Sequence, residues 1–208
     1  MKLGIFSDNH GSFRIWDVYD TSGVDAWICC GDFFPDVIGY GEHGEGRRQR
    51  EWFNPQRDSF LENLRGKPLL WCHGNHDEES LYRLLKYRYP ITEVKPEGVD
   101  FMGLKVAGFG NTPLCTRQFD PGGEFSLKTL SEAVANSGAD IVVTHAPCSQ
   151  YLCADRPEWG IMALHDRIPD SVKYHFHGHI HQDGGKSVTH PNGRVTMNAA
   201  RKMMLVDM

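Results

Sequence analysis

The sequence has no run of the roughly 18–20 uncharged apolar residues that a membrane-spanning helix needs. It has no C-x-x-C pair among its six cysteines, Cys29, Cys30, Cys72, Cys115, Cys148 and Cys153. These read as buried or partly buried free thiols in a reducing compartment. Basic residues are outnumbered, 22 Lys and Arg against 27 Asp and Glu, and the net charge of −5 gives no general pull on nucleic acid. A local basic groove stays open, because net charge does not describe a cleft. There is no internal repeat and no low-complexity tract, and with 40% hydrophobic and 24% charged residues the composition is that of an average globular chain, which excludes collagenous, coiled-coil and disordered chains. The first apolar stretch turns acidic at Asp8, too short for a signal-peptide core, so the expected location is cytoplasmic.

What the 208 residues do have is histidine, eleven in all, and the histidines are clustered. Short apolar runs predict strands at 2–7, 25–30, 68–72, 140–144, 173–177, 186–190, 194–198 and 203–207. Segments 99–102 and 104–109 flank Gly103 as a hairpin. Helical spacing of apolar residues covers 49–64, with Pro55 as a break or start, then 78–85 and 126–136. The stretch 39–46, Gly-Tyr-Gly-Glu-His-Gly-Glu-Gly, reads as a flexible loop. No linker divides the chain, so one domain over 1–208 is expected, of α/β or α+β type.

The informative pattern is where the polar residues fall. Five apolar runs each end in potential metal ligands: Asp8-Asn9-His10-Gly11, Gly31-Asp32, Gly74-Asn75-His76-Asp77, Thr144-His145 and Gly178-His179-Ile180-His181. Any one of these is an ordinary turn, helix entry or strand end. All five in one chain, at strand ends that share an edge in a mostly parallel sheet, point to a pocket. Carboxylate, imidazole and amide donors without cysteine suit Mn²⁺, Fe²⁺, Zn²⁺ or Mg²⁺. Seven donors exceed one tetrahedral ion and suit two ions roughly 3.5–4 Å apart. Two such ions outweigh the charges of Asp8 and Asp32, and the surplus attracts an anionic ester.

The ordered blocks D-x-H, G-D, G-N-H-D, a histidine after a strand, and G-H-x-H span residues 8–181. In these the chain resembles the calcineurin-like metallophosphoesterase superfamily, in particular its small prokaryotic phosphodiesterase-type members. The resemblance implies an α/β/β/α sandwich, two packed mixed sheets flanked by helices. It implies that Asp8, His10, Asp32 and His181 hold one metal, and that Asp32, Asn75, His145 and His179 hold the other. Asp32 is then the bridge, and His76 faces the leaving group or a phosphoryl oxygen. The implied cofactors are two divalent ions, Mn²⁺ or Fe²⁺ ahead of Zn²⁺, Mg²⁺, Co²⁺ or Ni²⁺. The implied reaction is attack of a metal-bridging hydroxide on phosphorus.

The chain departs from the protein-phosphatase branch. Gly31-Asp32-Phe33-Phe34-Pro35-Asp36 has Pro35 where that branch has an aspartate, and both of its phosphate-gripping arginines are missing. Asp36 is displaced by one residue, which leaves its role toward His76 open. Arg47 and Arg48, with Arg50, follow the Gly-rich stretch and are either substrate contacts or a solvated helix face. His73 and His177 flank the ligands as pocket or buried groups. The expected activity is a phosphoesterase, a diesterase ahead of a monoesterase, acting on a small phosphoester. The alternatives are a phosphoprotein phosphatase, a nuclease with Trp52 and Phe53 as its weak aromatic hint, and a metal-binding scaffold without turnover.

Overall fold

The structure is a computed structural model that describes residues 1–36, 45–110, 124–148, 151–154, 159–165 and 167–208. Strands β1 (Lys2–Phe6), β2 (Ala26–Cys29), β3 (Leu69–Trp71) and β4 (Ile91–Glu93) run parallel, each beside the next. A C-terminal strand, β11 (Met203–Asp207), closes the other edge antiparallel to β1, giving the order β11-β1-β2-β3-β4. The second sheet contains β5 (Val99–Phe101), β6 (Leu104–Phe109), β7 (Ile141–Thr144), β8 (Tyr174–His177), β9 (Ser187–Thr189) and β10 (Val195–Asn198), in the order β5-β6-β7-β8-β10-β9. Its central pairs are parallel and its two edge strands antiparallel. Helices α1 (Ile15–Val18), α2 (Glu45–Leu64), α3 (Leu81–Leu85), α4 (Glu124–Asn136) and α5 (Met162–His165) complete the chain.

The layering follows from period-two alternation in strands buried on both faces. In β2, Ala26 and Ile28 join a core shared with Val106, Ile141, Val143 and Phe176 of the second sheet. Trp27 and Cys29, on the opposite face, join Phe53, Phe60 and Leu64 of α2 and Leu81 and Leu85 of α3. A third core sets Ala107 and Val142 against Leu127, Val134 and Leu164 of α4 and α5. The result is helices, sheet, sheet, helices, as expected. Each fully buried Phe or Leu contributes about 1.5–3 kcal/mol.

Several details differ from expectation. Pro55 lies inside α2 and does not break it. Trp52, Phe53, Phe60 and Leu64 hold both halves of that helix in one core, which offsets the roughly 3 kcal/mol a mid-helix proline costs. The helix expected over 78–85 begins only at Leu81, with the Ser80 hydroxyl capping the N–H of Arg83. Glu78 and Glu79 stay outside it because their N–H groups donate to Gln49 Oε1, both at 2.9 Å. The short β4 was not foreseen. Of the expected loop over 39–46, residues 39–44 lie outside the described residues, as does Cys115, and residues 45–46 open α2. Cys29, Cys30, Cys72, Cys148 and Cys153 are buried, and burial pushes the first three well above the usual thiol range. Among the described residues no helix is long and apolar enough to cross a membrane.

Candidate metal centre

The carboxyl ends of β1, β2, β3, β7 and β8 meet through backbone hydrogen bonds. Asp8 N–H donates to Gly31 O, Cys72 N–H to Cys29 O and Gly178 N–H to His145 O, each at 2.9 Å. Ser7 bridges to Ala200 and so ties the two sheets together at this edge. The loops leaving the strands carry the polar residues the sequence singled out.

Two groups of candidate ligands form. In the first, donor atoms of Asp8, His10 and His181 lie within 4.8 Å of one another; in the second, those of Asp32, His145 and His179 do. His10 Nε2 and His181 Nε2 face each other at 3.3 Å, and His181 Nε2 is 3.0 Å from Asp8 Oδ1. His145 Nδ1–H donates to Cys30 O at 2.8 Å, which turns Nε2 toward Asn75 Oδ1 at 2.9 Å and Asp32 Oδ2 at 3.2 Å. Convergent imidazole nitrogens and carboxylate oxygens are what a divalent ion requires. The donor set therefore fits two ions, and the structure brings together all seven ligands expected from the sequence.

The local backbone is bent to make this possible. Asp8, His10, Asp32 and His179 all adopt positive φ, at 55°, 43°, 51° and 66°. A non-glycine residue there costs about 1–2 kcal/mol, a strain that concentrates at functional sites. Glycines make room beside them. A Cβ at Gly74 would collide with Asp32, and one at Gly178 with Ser7 and Asp8. Asp77, fully buried, accepts from the N–H groups of Asp32, Phe33, Phe34 and Gly74 at 2.8–3.1 Å, binding the Gly31-Asp32 loop to the Gly74-Asn75-His76 loop.

Charges in the site are strongly coupled to burial. Burial opposes ionisation of Asp32, yet the charge and hydrogen bond of His145 prevail and hold it well below the usual carboxylate range. Asp8 is also held low, because the His181 hydrogen bond and the His145 charge outweigh its burial. Burial likewise opposes a charged His145, but the Asp32 carboxylate pushes it up to about 10. Burial pushes His179 down to about 4. Burial and the nearby Asp32 push Asp77 up to about 7.

His76 lies at the rim, about half exposed, and joins neither ligand group. Its Nδ1 is 3.2 Å from Asp36 Oδ1, and the same oxygen is 2.7 Å from His10 Nδ1. Asp36 therefore does contact His76, although the sequence register left this open. Gln49 is a residue that nothing in the sequence pattern singled out. Its amide donates to the carbonyls of His76 at 2.6 Å and Pro35 at 3.3 Å, besides accepting from Glu78 and Glu79. His73 is pushed down to about 4 by burial and lines a cavity of about 400 Å³ with Glu93 and Phe109. His177 is fully buried outside both ligand groups, and its Nδ1–H donates to Gly178 O.

The arginines named as possible substrate contacts lie on α2. Arg47 pairs with Glu51 at 2.8 Å on an exposed turn of α2, and Arg50 pairs with the buried Glu79 at 2.6 Å. Arg48 is exposed on the same helix. Trp52 and Phe53 pack with Phe33 and Phe34 in the helix-side core. A second cavity, of about 290 Å³, opens beside Asp8 and His10 and has Asn9, Ser12, Arg14 and Arg201 in its walls.

The profile of the calcineurin-like phosphoesterase family matches residues 1–183. Among solved structures, the chain is similar to TT1561 of Thermus thermophilus, with 14% identity and a TM-score of 0.60 over 99% of this chain and 98% of that one. It is also matched by a hypothetical protein from Thermus thermophilus, with 17% identity and a TM-score of 0.44 over 95% of this chain and 75% of that one. No curated protein matches. At such identities the first likeness speaks for the fold alone.

Proposed function

The chain belongs to the calcineurin-like phosphoesterase family, and from that premise we propose that it hydrolyses a small phosphoester, a diester ahead of a monoester, with two divalent ions, Mn²⁺ or Fe²⁺ first. The observation that carries this reading is the pair of adjacent ligand groups, Asp8-His10-His181 and Asp32-His145-His179, with His76 at their rim. Asp8, His10, Asp32 and His181 would hold one ion, and Asp32, Asn75, His145 and His179 the other. Bound there, the two ions would lower the pKa of a water and neutralise charge on the phosphoryl oxygens.

The chain's own residues supply the rest. Asp32, held well below the usual carboxylate range, is a carboxylate at neutral pH, and a bound ion would take over the part that the His145 charge plays beside it. The hydrogen bond from His145 Nδ1 to Cys30 fixes the ring and leaves Nε2 for coordination. His76, steadied by Asp36, is placed to donate a proton to the departing alkoxide or a hydrogen bond to a phosphoryl oxygen. No protein nucleophile is needed.

The test is reconstitution with Mn²⁺, a count of ions per chain and turnover of bis-p-nitrophenyl phosphate. Two ions and turnover are expected. Asp32→Asn is expected to lose metal and at least ~100-fold in activity. An Asp32→Asn protein that keeps two ions and full activity would remove the reading.

A further inference from the structure

We propose that the cavity beside Asp8 and His10 receives a second phosphate of the substrate, held by Arg14 and Arg201, so that the enzyme selects phosphoesters carrying another phosphate remote from the scissile one. This rests on the phosphoesterase reading above and deepens it.

The cavity adjoins the first ligand group directly, since Asp8 and His10 form part of its wall. Its two arginines come from opposite ends of the chain. Arg201 is reached through the turn after β10, in a left-handed conformation with φ 56°, and its N–H donates to Ser7 O at 2.9 Å, one residue before Asp8. Arg14 follows the loop of His10. That loop is closed by Ser12 N–H to Asn9 O at 2.8 Å and Asn9 Nδ2–H to Ser12 O at 2.9 Å. On either side of Arg14, Phe13 and Trp16 are pinned in the aromatic core, Phe13 against Phe33 and Phe60, Trp16 against Phe6 and Trp27. Both arginine backbones are thus fixed relative to the ligand loop.

Their charges are not spent inside the protein. Arg47, Arg50 and Arg83 are paired with Glu51 and Glu79, whereas neither Arg14 nor Arg201 has an acidic partner among the described residues. Among the described residues the only carboxylate in the cavity wall is Asp8, which is buried and belongs to the ligand group. Two guanidinium groups match a phosphate dianion in charge and in their parallel N–H donors. An uncharged alcohol would leave both arginines unused.

The experiment compares two chromogenic diesters with the Mn²⁺-loaded protein. One is thymidine 5′-(p-nitrophenyl phosphate), and the other is the same ester with a 3′-phosphate. The phosphorylated ester is expected to be favoured by at least about tenfold in kcat/KM, chiefly through KM, as befits one charged contact or more. In Arg14→Ala and in Arg201→Ala that ratio is expected to fall toward one, with partial recovery in the lysine variants. A wild-type ratio at or below one, or a ratio unchanged in the variants, overturns the proposal. Calorimetry on metal-free protein gives a readout independent of turnover. Thymidine 3′,5′-bisphosphate is expected to bind more tightly than thymidine 5′-phosphate, with the difference lost in both alanine variants. Arginine-dependent binding without turnover by the loaded protein would sink the phosphoesterase reading and leave the anion site standing. Turnover without arginine dependence would do the reverse.

Discussion

Asp36 Oδ1 touches both His76 Nδ1, at 3.2 Å, and His10 Nδ1, at 2.7 Å, so one carboxylate steadies a candidate ligand and the rim histidine together. A carboxylate behind an imidazole fixes its orientation and tautomer, and losing such a partner commonly costs about 10–100-fold. Asp36→Asn is therefore expected to lower kcat by that factor, with KM nearly unchanged. Asp36→Glu should restore part of the loss, since a purely structural lesion would not respond to the carboxylate. Equal activity in the asparagine variant would show that the contact is incidental.

His76 joins neither ligand group, so in the proposed reaction its part is separate from metal binding. His76→Ala is expected to keep two ions and lose roughly 10²–10⁴ in kcat. The loss should be smaller with p-nitrophenolate as leaving group than with an alkoxide, because p-nitrophenolate departs without a proton. Equal losses for both would assign His76 to the phosphoryl oxygens. Loss of an ion would make it a ligand.

The clustering of the candidate ligands was legible because they follow strand ends. An apolar run that stops shortly before Asp8, Asp32, His145 or His179 marks both the end of the strand and the loop placed at the sheet edge. Asp36 was not legible, since one-dimensional register put it a residue out of place and only the shape of the 31–36 loop, held by Asp77, brings it to His76. Gln49 was hidden for a different reason. A polar residue on a predicted helix normally faces water, and nothing local reveals that α2 turns this one into the loop of His76. Arg14 and Arg201 are separated by nearly the whole sequence and line one cavity, with the bridge of Ser7 to Ala200 bringing the segment of Arg201 to the end of β1.

Gln49 is 1% exposed and satisfies four backbone groups of the loops at residues 35 and 76–79. Gln49→Leu keeps most of the volume but strands the N–H groups of Glu78 and Glu79. Stranded buried donors cost about 1–3 kcal/mol each, so a net loss of about 2–4 kcal/mol is expected. Urea unfolding monitored by tryptophan fluorescence checks this. A change below about 0.5 kcal/mol would mean that water replaces the side chain.

His175 ties stability to pH. It is fully buried, and the Thr144 hydroxyl beside it donates to Ala146 O, so His175 Nε2–H must donate to that hydroxyl. Its Nδ1 then has no partner that could accept a second proton. Burial first, and the neighbouring His177, Arg194 and His190 next, hold its pKa well below 6.5. Below about pH 6.5 the unfolded chain therefore binds a proton that the folded chain refuses, and stability falls as pH drops. His175→Gln keeps the N–H donor and removes the titration. It should flatten the decline between about pH 6.5 and 5 by up to about 1.4 kcal/mol per pH unit. Unfolding is measured in chelator so that metal does not contribute. An unchanged slope would contradict this account.

The preference for diesters is argued from what grips the scissile phosphate. A monoester dianion needs charge beyond two metal ions, and the arginines that supply it in protein phosphatases are absent here at the matching positions. Arg50, which follows the Gly-rich stretch, is paired with Glu79, and Arg47 is paired with Glu51 on solvent-facing helix. Arg14 and Arg201 line the cavity beside Asp8 and His10, which His76 does not line. A diester carries one charge less, which the ions alone can balance. The expected outcome is a higher kcat/KM for bis-p-nitrophenyl phosphate than for p-nitrophenyl phosphate once intrinsic reactivity is divided out. Arg48→Ala should leave that order intact, because Arg48 is exposed and in neither cavity wall. A monoester preference that collapses in Arg48→Ala would instead place that arginine on the scissile phosphate and make the enzyme a monoesterase on the same metal centre.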